Sequence, residues 1–522
     1  MIREISRRKC LRLWLCKPEY MERTKWENRF VLLRFWKKNY MMFLKDLKRF
    51  KMERLYDKLK AYSESDFYAF HMPGHKRNKA LLGIELPYDL DITEIDGFDD
   101  LHHADGILKE EQERAARVFG AEESHFLVNG STAGILSAVM GCTHRGDKIL
   151  VARHCHKSIY HAIYMNGLVP RYVYPEFDIS MHMNGEISKE DVAKALAAES
   201  DIKAVVIVSP NYDGVVSDVK GIAEVAHSYR IPLIVDEAHG PHFGFHPAFP
   251  GRANDLGADV VINSLHKTLP SLTQTAILHI NGKIVNRRRI KKYLDMLQSS
   301  SPSYIFMASL DACVDFVDGK CENAFELYVE RLQKFREELE PLQHLQILRT
   351  EHYDISKVVI STANANITSP ELAERLRKEY HLEMEMTGGT YVLAMTTVAD
   401  TQEGLDRLKA ALLEIDGQLE AKTAVSGSIE ISGELPRLEQ YFTPQEAADR
   451  EEDGEAEEIP WKESEGHISL EYAYLYPPGS PVIVPGERIS REAVELLRYY
   501  ETQNLQIEGI QTEGKIKVWK HE

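Results

Sequence analysis

Between about residues 80 and 280 the chain alternates short apolar, β-branched runs with stretches of helical period. The runs are SHFLVNG (124–130), KILVAR (148–153), RYVYP (171–175), KAVVIVS (203–209), PLIVDEA (232–238) and DVVINS (259–264). Between them lie patterns such as STAGILSAVMGC and GIAEVAHSY, whose apolar residues recur at helical spacing. Strands that are apolar throughout, not only on alternate residues, are covered on both faces, and strand–helix alternation pairs them in parallel. The expected fold class is α/β, a mostly parallel sheet between helical layers. In such sheets ligands bind at the carboxyl ends of the strands.

Further along, ENAFELYVERLQKFREELEPLQHL (322–345) reads as one long amphipathic helix. Strand-like LQILRT, KVVIST and YVLAMTT then alternate with the helical ELAERLRKEY and EGLDRLKAALLEI, a second and smaller α+β unit. VSGSIEISGELP reads as a connector, 446–465 as an acidic solvated helix or loop, and SREAVELLRYYE as a last helix. The expected domains are 1–51, a basic extension; 52–310, an N-terminal segment and the large domain; 311–425, the small domain; and 426–522, a C-terminal domain.

Charge changes this picture mainly at the start. The formal net charge is −17, yet residues 1–51 hold 16 Lys/Arg against 5 Asp/Glu, a net of +11, which leaves −28 on the rest. The acidic balance argues against a nucleic-acid partner. The segment FVLLRFWKKNYMMFLKDLKRF fits a basic amphipathic helix on a membrane surface, a poorly ordered tail, or a start codon assigned upstream of Met52; it supplies no firm membrane partner. Arg12 and Lys17 interrupt the one early candidate for a signal-peptide core. Six scattered cysteines without a CxxC pair argue against a disulfide framework or a zinc site, so no metal is expected and a reducing cytoplasm fits.

Candidate chemistry gathers at predicted strand ends. SLHKTLPSLTQ sets Lys267 just after one strand, and VDEAHG sets Asp236 at the end of another, 31 residues earlier. FLVNGSTAG puts Gly130, Ser131 and Thr132 where a strand gives way to a helix, and CHKS puts His156 past the next strand. Pyridoxal 5′-phosphate calls for this set: a lysine for its aldehyde, a carboxylate for its ring nitrogen, free backbone N–H groups and hydroxyls for its phosphate, and a flat side chain over its ring. Taken singly, the lysine is more often a solvated one, Asp236 or Ser131–Thr132 a helix cap, and His156 an ordinary hydrogen-bonded histidine. It is their joint convergence that points to the cofactor.

The chain resembles the bacterial ornithine/lysine/arginine decarboxylases, pyridoxal-phosphate enzymes of the aspartate-aminotransferase fold (fold type I). The resemblance is carried by FHMPGHKRN (70–78), DITEIDGFDDLHHADGILKEEQERAARVFGA (91–121), FLVNGSTAG, CHKS, SPNYDG (209–214), VDEAHG, SLHKTLPSLTQ, SSSPSYIFMASLD (299–311) and YPPGSPVIVPGE (476–487). It covers about Met52 to residue 515, and without a receiver-like N-terminal domain it is similar to the shorter biosynthetic form. The resemblance implies Lys267 as the cofactor-bonding lysine, Asp236 as partner of the ring nitrogen, His156 on the ring, and Gly130, Ser131 and Thr132 at the phosphate. It implies Ala238 and His239 close to the ring and its hydroxyl, with Ser264 and His266 at the phosphate and the reacting centre. Ser300 and Ser301 of SSSPSY would reach a neighbouring subunit's phosphate site, so a homodimer or larger homo-oligomer with shared sites is expected. Glu487 would help receive the substrate's basic side chain, with Asp96, Asp99 and Asp100 as further acidic candidates.

The implied reaction is decarboxylation of a basic amino acid, arginine ahead of lysine and then ornithine, giving agmatine or a diamine for polyamine synthesis. Lys267 and His266 are both candidates for the proton donor to Cα. Two alternatives stand beside it. An aminotransferase of the same fold generally needs a second-domain arginine for the substrate carboxylate, and YVLAMTT contains none. A catalytically idle regulatory relative has no need to keep Lys267, Asp236 and His156 together.

Overall fold

The computed structural model describes residues 53–81, 83–178, 181, 183–422, 435–475, 479–503 and 505–520. The basic extension 1–51 and most of the 425–436 connector lie outside them. The first described helix is α1 (Leu55–Ser63). From Leu59 onward the chain forms one compact unit.

Its centre is a seven-stranded sheet. The strands are β1 (Glu123–Leu127), β2 (Lys148–Ala152), β3 (Val169–Val173), β4 (Ile202–Val208), β5 (Leu233–Asp236), β6 (Val260–Asn263) and β7 (Ala276–Ile280), in the order β1-β7-β6-β5-β4-β2-β3. β2, β3, β4, β5 and β6 pair in parallel, as their continuous apolar runs predict. β4, β5, β6 and β7 are almost wholly buried. β7 was not among the six expected strands. It runs antiparallel between β1 and β6, and its run AILHI directly follows the lysine loop.

Helices α2 (Ile107–Val118), α3 (Gly130–Cys142), α4 (Lys157–Met165), α5 (Lys189–Ala198) and α6 (Val219–Ser228) connect or flank these strands. After them come the single turn α7 (Leu265–Thr268), α8 (Arg287–Leu297) and α9 (Tyr304–Val317). The core beneath them draws Ile135, Val139, Ile159, Ile222 and Ile290 against the sheet. Because β1, β2, β4, β5 and β6 point the same way, the loops holding Gly130, His156, Tyr212, Asp236 and Lys267 leave the sheet at one edge.

The long helix, α10, spans Glu322–Glu338 and stops short of the predicted 345. Pro341 lies just beyond its end, where a proline ring cannot continue a helix. The next strands form a four-stranded antiparallel sheet, β8 (Gln346–Ile347), β9 (Lys357–Ser361), β11 (Tyr391–Met395) and β10 (Met386–Thr387) in spatial order. It is accompanied by α11 (Ser369–Tyr380) and α12 (Gln402–Asp416). Thr368 and Glu371 close a capping box at the start of α11. Asp416, at the end of α12, accepts backbone N–H bonds from Gln343, His344 and Leu345 at 2.8–2.9 Å and pins the loop after α10. The expected acidic stretch becomes α13 (Pro444–Glu452) and β12 (Ala456–Pro460), which pairs with β13 (Lys515–Trp519); α14 (Arg491–Thr502) packs nearby around Trp461. Among the described residues no helix is long and apolar enough to cross a membrane.

Candidate active site

Asp236 is the last residue of β5 and only 3% exposed. One of its carboxylate oxygens accepts the N–H of Ala238 at 3.1 Å. Burial pushes its pKa up, against the nearby Lys267 ammonium and that N–H, which pull it down. Lys267 follows β6 on α7, and here burial acts the other way. It lowers the ammonium's pKa, Lys357 lowers it further, and Asp236 and Glu385 raise it. β5 and β6 are neighbours in the sheet, with Asp236 opposite Ile262, so the aspartate and the lysine turn lie at adjacent strand ends.

His239 joins them. Its Nε2 lies 2.8 Å from Lys267 Nζ, while its buried Nδ1 has no hydrogen-bond partner among the described residues. Burial, then Lys267, holds its pKa well below the usual imidazole value, so the ring is neutral. The Tyr212 ring lies tilted beside it, centroids 4.5 Å apart.

His156 caps α4, its Nδ1 accepting from the Ser158 N–H at 3.2 Å. Burial and the charge of Lys267 bring its pKa down to about 4. His266 Nδ1 donates to the Thr275 carbonyl at 2.8 Å, which leaves Nε2 as the basic nitrogen. Burial also lowers its pKa.

At the start of α3, Gly130 takes a left-handed φ of +72°, and its N–H bonds the Gln274 carbonyl at 3.0 Å. The Gln274 amide in turn donates to the Val128 carbonyl at 2.7 Å, so the lysine loop docks on the loop that opens the helix. Among the described residues no side chain caps α3, and beyond Gly130 the next N–H groups of its first turn face an outside acceptor. Ser131 Oγ lies 2.6 Å from Ser264 Oγ, and Thr132 beside it is exposed.

Four expected positions fall elsewhere. Glu487 is fully buried and accepts from both terminal guanidinium nitrogens of Arg153, at 2.6 and 2.8 Å, with the Val484 N–H as a third donor. It is half of an internal ion pair and does not offer a free carboxylate to a substrate. Asp96 is exposed, and no hydrogen bond or ion pair among the described residues links it to Lys267. Of the further acids, Asp99 accepts the N–H groups of Asp100, Asp105, Gly106 and Leu108, and Asp100 caps the turn at Leu101–His103. Ser300 and Ser301 are exposed and do not join Lys267 in their own chain, although Ser299 N bonds Asn129 beside Gly130 at 3.2 Å.

Sequence reading did not single out the second ring of polar groups. Lys357, wholly buried on β9, donates to Asp354 at 3.2 Å and reaches the His239 carbonyl at 3.5 Å. Asp354 also holds His242 Nε2 at 3.1 Å, and His242 Nδ1 meets Thr268 Oγ1, next to Lys267, at 3.0 Å. A buried chain of polar contacts therefore runs from His239 through the small sheet back to α7. The spacing of His242 in VDEAHGPH and the buried pair in YDISK were the available signals.

A family model described as "Orn/Lys/Arg decarboxylase, major domain" matches residues 53–421, and its C-terminal domain matches 433–514. An arginine decarboxylase of Bacillus subtilis is 33% identical over 471 residues, 87% of this chain and 95% of that protein. One of Bacillus anthracis is 32% identical over 487 residues, 89% and 97%. The lysine decarboxylase LdcA of Pseudomonas aeruginosa is 25% identical, covering 83% of this chain and 73% of its own. The crystal structure of the Francisella novicida lysine decarboxylase LdcF shares the fold, with a TM-score of 0.76 at 20% identity over 92% of this chain and 83% of that one.

Proposed function

The chain belongs to the Orn/Lys/Arg decarboxylase family and is a decarboxylase of basic amino acids; from that premise we propose that it acts on arginine, with pyridoxal 5′-phosphate held between Lys267 and Asp236. The preference for arginine is supported by relatives of that name at 33% and 32% identity, against 25% for the lysine enzyme. Lysine and ornithine follow. Polyamine synthesis in the cytoplasm is the setting we infer.

The residues fit the cofactor. The uncapped start of α3, with Gly130, Ser131 and Thr132 and with Ser264 at hydrogen-bond distance from Ser131, would hold the phosphate. Asp236 would hold the ring nitrogen, His156 the ring face and Lys267 the aldehyde, with Ala238 and the unpartnered Nδ1 of His239 alongside. The chemistry that pyridoxal phosphate would supply there is an electron sink for the pair left at Cα when the carboxylate leaves as carbon dioxide.

The chain's own residues do the rest. Desolvation lowers the proton affinity of Lys267, so its amine can give way to the substrate's amine and return to expel the product. His239, neutral and 2.8 Å from Nζ, orients that amine. Lys267 Nζ would deliver a proton at Cα, and His266 Nε2, the basic nitrogen of its ring, could do so only after taking one up.

We infer further that a second copy completes the site. Phe67, Tyr68, Phe70, Met72 and Leu81 are 62–89% exposed within one 15-residue stretch, and a cluster of exposed apolar side chains is what a protein interface covers. The exposed Ser300 and Ser301 would enter the partner's phosphate site.

The observation that carries the reading is the shared, buried placement of Lys267 and Asp236 at adjacent strand ends. Purified protein with added cofactor, offered arginine, lysine and ornithine in competition, is expected to release carbon dioxide and chiefly agmatine. Keto-acid formation in place of carbon dioxide would indicate an aminotransferase, and absence of a borohydride-bleached visible band an idle relative. Analytical ultracentrifugation should find a dimer or a multiple of one.

A further inference from the structure

A decarboxylase for basic amino acids must recognise a positive charge several bonds beyond the reacting Cα. That charge needs an acidic partner that is not already neutralised. Three other buried carboxylates are engaged. Asp354 serves Lys357, His242 and Ser356; Asp213 accepts the Tyr391 hydroxyl at 2.5 Å; and Glu487 is paired with Arg153. Asp236 lies under the amine itself.

Glu385 differs from these. It precedes β10, anchored by its N–H to the Leu393 carbonyl at 2.9 Å, and its side chain is exposed. The Tyr212 hydroxyl donates to Glu385 Oε1, and among the described residues Glu385 forms no ion pair. At its other end the Tyr212 ring lies beside His239, with Lys267 Nζ 6.0 Å from the ring centroid. The tyrosine therefore spans from the reacting amine to the carboxylate. Its flat face would line the path of an aliphatic side chain and favour a cation sliding along it. Glu385 is close enough to Lys267 to act on its charge.

We propose that Glu385, held in place by Tyr212, receives the guanidinium or ammonium group of the substrate side chain. The assignment rests on the decarboxylase reading, and it replaces Glu487 and Asp96 as the specificity-determining acid.

The test is Glu385→Gln in the cofactor-loaded protein, which keeps the side chain's shape and its acceptor for Tyr212. The KM for arginine, lysine and ornithine is expected to rise roughly 10- to 100-fold, the loss of one charge-assisted hydrogen bond, with a smaller change in kcat. Turnover of citrulline, the neutral counterpart of arginine, should not weaken, so the preference for arginine over citrulline falls by the same factor. Calorimetric binding of agmatine to the loaded protein should weaken in parallel. If the glutamine variant does not fold, Glu385→Asp keeps the charge on a shorter arm and is expected to shift preference towards the longest side chain. Unchanged KM and agmatine affinity in folded Glu385→Gln, or unchanged relative KM values in Glu385→Asp, overturn the assignment alone. Wild-type protein that releases no carbon dioxide from any of the three amino acids overturns the decarboxylase reading, and this assignment with it.

Discussion

Arg153 and Glu487 show how a side chain's chemistry depends on a partner that the local motif does not contain. The two are buried and joined by two hydrogen bonds across 334 positions of sequence. Removing one member of such a pair strands the other charge, which typically costs about 3–5 kcal/mol. Glu487→Gln is therefore expected to lose that much stability in denaturant unfolding while the folded fraction keeps its KM for arginine. A raised KM with unchanged stability would return Glu487 to the substrate. Lys267→Ala is the contrasting case. It should reduce carbon dioxide release by more than about 10³-fold and leave the unfolding midpoint within a few tenths of a molar, because one member of a unit that acts together carries most of the rate. Lys267, Asp236, His156, Ser131 and Ser264 stood out as candidates in the sequence because each sits within a few residues of an apolar run whose end fixes its direction. The pairing of Glu487 with Arg153 had no local sign, and Tyr212, Glu385, Lys357 and Asp354 were passed over. Their roles depend on which distant strand faces them, and periodicity carries no such information.

At the scale of elements, parallel strands were legible because burial on both faces leaves an unbroken apolar run, as in KAVVIVS. AILHI in β7 is as apolar, but it follows the lysine loop with no helix between, and its antiparallel place between β1 and β6 is a matter of pairing, not pattern. The overextended α10 is the converse error: amphipathic spacing continues past Pro341, and the backbone does not. Contact between elements also rests on small residues. A Cβ on Gly141 of α3 would lie 2.6 Å from Ile290 Cγ1 and 2.8 Å from Ile290 Cα on α8, and a backbone atom cannot rotate aside. Gly141→Ala is expected to push the helices apart and destabilise by about 1–3 kcal/mol. Thermal unfolding of the variant checks this, and a midpoint at or above that of the wild type would mean that α8 moves without strain.

For the molecule as a whole, buried titratable groups set how stability varies with pH, and they act in two opposed directions. Burial brings the pKa of His154 and His156 to about 4 and that of His279 to about 3, from an ordinary value near 6.5. Their neutral forms stabilise the fold above 6.5, and that contribution is lost as pH falls towards the folded values, because the unfolded chain binds the protons first. Glu237, next to Asp236, has the opposite sign. Its oxygens accept from the Ala253 N–H at 2.8 Å and the Asn263 amide at 3.0 Å, but burial outweighs these bonds and raises its pKa from 4.5 to about 8. Its contribution is complete below 4.5 and is lost as pH rises through 8, because the unfolded chain then gives up its proton more readily. The two ranges overlap between 4.5 and 6.5, where three histidines outweigh one carboxyl, so the unfolding midpoint is expected to rise up to roughly pH 7 and to fall from there towards 8, more steeply on the acid side. Glu237→Gln keeps the shape of the protonated acid and removes the titration. Between pH 5 and 8 it should flatten the alkaline limb and steepen the upper part of the acid limb, where the carboxyl no longer opposes the histidines. Parallel midpoint–pH curves for the variant and the wild type over that interval would show that Glu237 is ionised in the folded protein, its two hydrogen bonds outweighing the loss of water.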